Sequence, residues 1–162
     1  MRFEVEHRFT APLGAVEEAA LDPAFYEQLR LPGVAPPKVV ERRDDGDVVH
    51  LDVAYEFTEE LPSVARAVLG AGRLSWVNAS VANRATHRTD FRVVPDVHAD
   101  RLTCGGTIQL RAEGDDITVR LITGDLKVRV PLLASRAERA ISTGLVERLD
   151  VEADALARFL TH

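Results

Sequence analysis

Between Pro131 and Leu160 apolar residues recur at helical spacing without a break. At ~100° per residue, Leu133, Ala137, Ala140, Ile141, Gly144, Leu145, Val151, Ala155, Leu156 and Phe159 share one side. Arg136, Arg139, Thr143, Glu147, Asp150, Asp154 and Arg158 share the other. The pattern predicts an amphipathic helix, roughly 45 Å long if unbroken. A stripe of that length needs a surface to cover. Nearly everything upstream reads as strand, so a sheet is the expected partner.

Residues 2–9 alternate strictly, with Phe3, Val5, His7 and Phe9 on one face and Arg2, Glu4, Glu6 and Arg8 on the other. Pro12 and Asp22-Pro23 then open two short helices in series. Strands are predicted at Lys38–Arg43 and Val48–Phe57, joined by Asp44-Asp45-Gly46-Asp47. Val49, Leu51, Val53, Tyr55 and Phe57 make the apolar face of the second. Thr58–Ala71 breaks the hairpin rhythm with a short helical pattern closed by Gly70 and Gly72. It is either a loop packed on the sheet edge or a gate over an opening.

Two more strands follow, Arg73–Val81 and Arg84–Val94. In the second, His87, Thr89, Phe91 and Val93 face inward by alternation; in the first, the side taken by Trp76 stays open. The last two strands form a long hairpin about Gly114-Asp115. A two-residue turn there would pair Gly105 with Gly124 and Gly106 with Thr123, marking a bend in the ribbon.

Composition excludes several classes. At 162 residues the chain suits one domain spanning 1–162. The net charge of −6 argues against a nucleic-acid partner; Arg84, Arg88 and Arg92 read as a solvated face. Cys104 is the only cysteine, so no internal disulfide forms. No apolar run is long enough for a transmembrane segment, and the N-terminal alternation is unlike a secretory signal. A cytoplasmic setting is expected. Oligomeric state is not specified by any of these features.

The order strand, two short helices, six strands, long helix resembles the helix-grip fold of the START-like, polyketide-cyclase (SRPBCC) superfamily. The residues carrying the resemblance are Phe3–Thr10 into Ala11-Pro12, Asp22-Pro23, Cys104-Gly105-Gly106-Thr107, and Gly124 through Pro131 into the helix. Within that superfamily the chain looks most like an actinobacterial family of unknown function. The resemblance implies an α+β fold: a curved, antiparallel, seven-stranded sheet wrapped around the C-terminal helix, with an apolar cavity between them. It also implies binding or carriage of a small hydrophobic, lipid- or polyketide-like molecule, or cyclase/aromatase chemistry. A regulatory domain with a vestigial cavity is the remaining alternative, with an apolar patch at Leu61, Val64 and Val68 for a protein partner.

The inward-pointing polar residues are the candidates for chemistry. His7 and His87 can act as acid, base or ligand near neutrality. Asn78 and Thr89 can orient a polar group in an apolar pocket. Each has a structural alternative, a side chain satisfied by the backbone. Cys104 with the two histidines offers zinc-type ligands, but three separate strands without characteristic spacing do not make a metal site; no metal or cofactor is expected. Arg148 and Glu152 break the helix stripe and sit four residues apart, so they are expected to pair or meet a polar ligand group. The expected pocket is lined by Tyr55, Phe57, Trp76 and Phe91 from the sheet and by Ile141, Gly144, Leu145 and Arg148 from the helix. No Ser-His-Asp grouping, phosphate loop, CxxC or HExxH motif is present.

Overall fold

Alternation in the first strand seats the sheet on its helix. In the computed structural model, which describes residues 1–162, β1 (Arg2–Phe9) buries Phe3, Val5 and Phe9 and exposes its four charged residues. α1 (Leu13–Leu21) and α2 (Pro23–Gln28) follow. Asp22 caps α2 by accepting from the Ala24 N–H at 2.9 Å, and Pro23 occupies the first turn, where no donor is needed.

The remaining elements are β2 (Lys38–Asp45), β3 (Val48–Glu56), α3 (Ser63–Leu69), β4 (Ser75–Asn83), β5 (Arg88–Pro95), β6 (Leu102–Ala112), β7 (Thr118–Val128) and α4 (Ala134–Leu160). The strands form one antiparallel sheet in the order β1-β7-β6-β5-β4-β3-β2. This is the expected helix-grip architecture, with two short helices after the first strand and a long helix at the end. No helix is long and apolar enough to cross a membrane.

Three local expectations are corrected. First, the last hairpin has a longer loop than a two-residue turn. Ala112 pairs with Thr118, the Glu113 N–H donates to the Ile117 carbonyl at 2.8 Å, and Gly114 takes φ +79°. The register shifts by one, so Gly106 faces Gly124 directly and Gly105 faces Asp125. A side chain at Gly106 would run into the Thr123 carbonyl, and one at Gly124 into the Phe3 ring. The paired glycines let β6, β7 and the Phe3 ring close on one another where any larger residue would hold them apart.

Second, β5 begins at Arg88, leaving His87 in a turn at φ +58°. The Asn83 side chain explains this, accepting from the Ala85 N–H at 2.9 Å and the Thr86 N–H at 3.3 Å. Third, α4 begins at Ala134, because Leu132 takes φ +69° and breaks the helical path. Its buried residues include Ser142 and Ala153, outside the expected stripe.

The core has two ends along α4. At one, Phe9, Val16, Phe25, Leu29, Leu110 and Leu156 pack with Phe159. At the other, Phe3, Val68, Leu102, Cys104, Leu126 and Ala137 surround less completely filled space. α3 closes over this second end, with Ala65, Val68 and Leu69 turned inward and buried.

Candidate functional site

The first half of α4 touches the sheet at Ala137 and Glu138 but stands off it beyond them. There a cavity of about 460 Å³ separates helix and sheet, within the usual range for small-molecule sites. The sheet contributes Leu74, Trp76, Val93, Leu102, Cys104 and Leu126; α4 contributes Ala140, Ile141, Gly144, Leu145 and Arg148. Leu61, Pro62, Ala65 and Leu69 cover it from the α3 segment. Space exists because α4 presents Ala140 and Gly144 where bulkier residues would fill the gap. Ile141 and Leu145 stay half-buried for the same reason. Glu59, Glu60, Thr143 and Glu147 also border the cavity.

A row of rings leads to its one cationic wall residue. Tyr55 and Trp76 are cross-strand partners and stack at 5.4 Å with planes 10° apart. Phe57 meets Trp76 at 5.1 Å. The Arg148 guanidinium lies over the Phe57 ring at 4.7 Å, a cation–π contact. Arg148 donates from Nη1 to the Gly144 carbonyl at 3.0 Å, while its buried Nε has no acceptor.

The filled end holds a different polar arrangement. Arg120, on the inner face of β7, donates to Glu152 Oε1 at 2.7 Å and to His7 Nδ1 at 3.1 Å. An arginine can only donate. His7 Nδ1 therefore accepts, and Nε2 carries the proton that meets Asp150 Oδ1 at 2.8 Å. Arg120 also lies over Phe9 at 5.3 Å. Burial raises the Tyr26 hydroxyl above its ordinary range, with the Glu152 charge adding to the effect and Arg120 opposing it. Tyr55 is raised mainly by burial, with Tyr26 and Glu152 contributing. At the cavity, burial pushes the Cys104 thiol up to about 11, so it is a neutral wall group at ordinary pH.

Residues 4–160 match the family model described as Protein of unknown function (DUF2505). The chain belongs to that family. No curated protein matches it in sequence. Among solved structures, the DUF2505 chain is similar to a Streptomyces aromatase/cyclase, Zhui, at TM-score 0.71 and 13% identity, covering 99% of this chain and 93% of that one. A Thermus thermophilus protein matches at TM-score 0.70 and 15% identity, covering 99% and 97%. A START superfamily protein from Mycobacterium smegmatis matches at TM-score 0.61 and 15% identity, with the same coverage. At such identities the likeness shows a shared START-type fold.

In this DUF2505 chain, Phe57, Trp76, Ile141, Gly144, Leu145 and Arg148 converge on the cavity. Trp76 takes the inner face, which the sequence left open, because it pairs with Tyr55 across the sheet. Tyr55 stands behind Trp76. Phe91 packs on the core at that end, and Asn78 and Thr89 lie half-buried on the sheet; none of these four lines the cavity. The buried Asn78 Oδ1 has no partner. Neither histidine reaches the cavity. His7 is held by Arg120 and Asp150, and His87 leaves the sheet to meet Glu17 at 3.0 Å.

The expected Arg148–Glu152 pair does not form, because Arg120 captures Glu152 from the sheet side. Sequence reasoning missed Arg120. Its signal was strand parity: Ile122, Gly124, Leu126 and Val128 are buried on one face, and Arg120 continues the alternation. The apolar patch expected for a protein partner is also absent. Val68 is fully buried, and Leu61 and Val64 are half-buried against the core.

Proposed function

We propose that this chain binds a small hydrophobic molecule, lipid- or polyketide-like, in the cavity between sheet and helix, as a carrier. The carrying observation is the cavity, about 460 Å³, walled mostly by apolar side chains and covered by the α3 segment. A core that only needed to be stable would fill such space, since unfilled volume costs about 24 cal/mol per Å³ in large-to-small core substitutions. Residues 58–71 act as the gate. A single-domain protein, an actinobacterial source and a cytoplasmic setting go with this reading.

A cyclase-type reading draws support from the name of the Streptomyces neighbour, an aromatase/cyclase. It loses its expected proton shuttles here, because neither His7 nor His87 lines the cavity. Binding without histidine chemistry is therefore the reading preferred.

Trp76 is the only tryptophan and lines the cavity, so its emission reports occupancy. Freshly purified protein should carry a hydrophobic adduct in native mass spectrometry, or should take up added long-chain amphiphiles with a change in Trp76 emission. At a ligand concentration a hundredfold above Kd, stability should rise by about 2.7 kcal/mol. For a chain of this size that means roughly 5–10 °C in Tm. No adduct, no emission change and no thermal shift across such a screen would remove the proposal.

A further inference from the structure

Resting on the cavity reading above, we infer that the ligand is an amphipathic monocarboxylate whose carboxylate meets Arg148. The first ground is an uncompensated cation. Arg148 is half-buried in a largely apolar wall and pairs with no carboxylate. Of its five donor hydrogens, one is used on the Gly144 carbonyl, and its buried Nε has no acceptor. Charged groups in such places are ordinarily paired or fully hydrogen-bonded.

The second ground is an internal control. The same helix and sheet hold Arg120, whose Nε is likewise buried without an acceptor, but there the fold supplies Glu152 and His7 as acceptors to the terminal nitrogens. At Arg148 it supplies none beyond the Gly144 carbonyl, although Glu147 is adjacent in sequence and also borders the cavity. Phe57 covers one face of the guanidinium. An acceptor must therefore approach in the plane of the group, the geometry in which arginine binds carboxylate oxygens.

The third ground limits the charge. Glu59, Glu60 and Glu147 border the same cavity, and only Glu60 is paired, with Arg66 at 2.9 Å. A dianionic phosphate would meet this negative border at twice the cost of a carboxylate. A direct contact with Arg148 inside the cavity outweighs the border for a single charge, because exposed carboxylates act through water and salt. The rest of the lining asks for an apolar chain.

The test compares dodecanoate, dodecanol and dodecyl phosphate by Trp76 emission and calorimetry on the whole chain. Dodecanoate should bind roughly ten- to a hundredfold tighter than dodecanol, the range expected of a charge-assisted hydrogen bond, and tighter than dodecyl phosphate. Arg148→Met should erase the preference, bringing dodecanoate down to the affinity that dodecanol shows in the same variant; Arg148→Lys should keep part of it. Equal binding of dodecanoate and dodecanol to the wild type, or a preference surviving in Arg148→Met, overturns this inference and leaves the carrier reading standing. A preference for dodecyl phosphate overturns it as well. Failure of all three amphiphiles to bind the wild type overturns both. The wild-type comparison needs no variant, so a poorly folded Arg148→Met leaves the question decidable.

Discussion

Arg120 and Arg148 both reach into the space between sheet and helix, one at each end, and their surroundings are opposite. Arg120 is almost wholly buried, and it is served by a carboxylate, an imidazole nitrogen and an aromatic face. Arg148 has an aromatic face and one carbonyl, beside a cavity. The apolar residues differ in the same sense. Around Arg120 the helix sends Leu156 and Phe159 against Phe9 and Phe25. Around Arg148 it offers Ala140 and Gly144. One half of α4 is spent on stability, and the other is left incomplete by the protein itself.

This contrast makes mutations at the two ends separable. The largest effect should come from Leu156→Ala at the filled end, where the side chain is fully buried. Urea denaturation should show a loss of about 3–5 kcal/mol, with amphiphile affinity unchanged in the folded protein. If affinity falls in step, the two ends are one unit and the contrast fails. Next is Glu152→Gln, which leaves the Arg120 charge facing a neutral amide. Because Glu152 retains 22% exposure, the cost should be roughly 2–4 kcal/mol, somewhat below that of breaking a fully buried pair. A loss under ~0.5 kcal/mol would show that the network adds little.

The smallest change in stability should come from Gly144→Leu. A first side-chain atom there meets only the flexible Arg148 Nη1, at 3.2 Å. Replacing a mid-helix glycine contributes about 1 kcal/mol of helix propensity. Stability should stay within about 1 kcal/mol of the wild type while amphiphile binding disappears. A loss of several kcal/mol would mean that the helix is packed down and the space is not available.

Much of this fold was legible because its local signals agree with its tertiary needs. β1 and β3 alternate cleanly because one face meets the core, and α4 shows a stripe because it is gripped on one side. The failures have physical causes. His87 follows the inward parity of β5, but the Asn83 side chain folds residues 84–87 into a turn, so β5 starts late and His87 is taken out of the sheet. The glycine register depended on the loop length between β6 and β7, which the Gly114-Asp115 pair does not fix alone. Trp76 could not be placed because Val77 and Val81 favour the opposite face equally well; only pairing with Tyr55 decides it. Arg148 and Glu152 were recognisable as exceptions in the stripe, but Glu152 is taken by Arg120 from a distant strand, and Arg148 is left with its own helix's Gly144 carbonyl and the Phe57 ring. Periodicity within a helix cannot foresee the guest at its neighbour's door.

The α3 cover has a consequence for time rather than affinity. Its two stems are joined where the Phe57 N–H donates to the Leu74 carbonyl at 2.8 Å, and its far end is held by one side-chain bond, from Arg101 to the Val68 carbonyl at 3.0 Å. Gly70, at φ +84°, sits just beyond that bond. The segment is thus a short flap with fixed roots, held at its far end by that bond and by the buried side chains of Ala65, Val68 and Leu69. On the carrier proposal, exchange of cavity contents would be set by how often this closure releases, and two occupants of very different affinity that leave by the same opening would share one ceiling on their rate of escape.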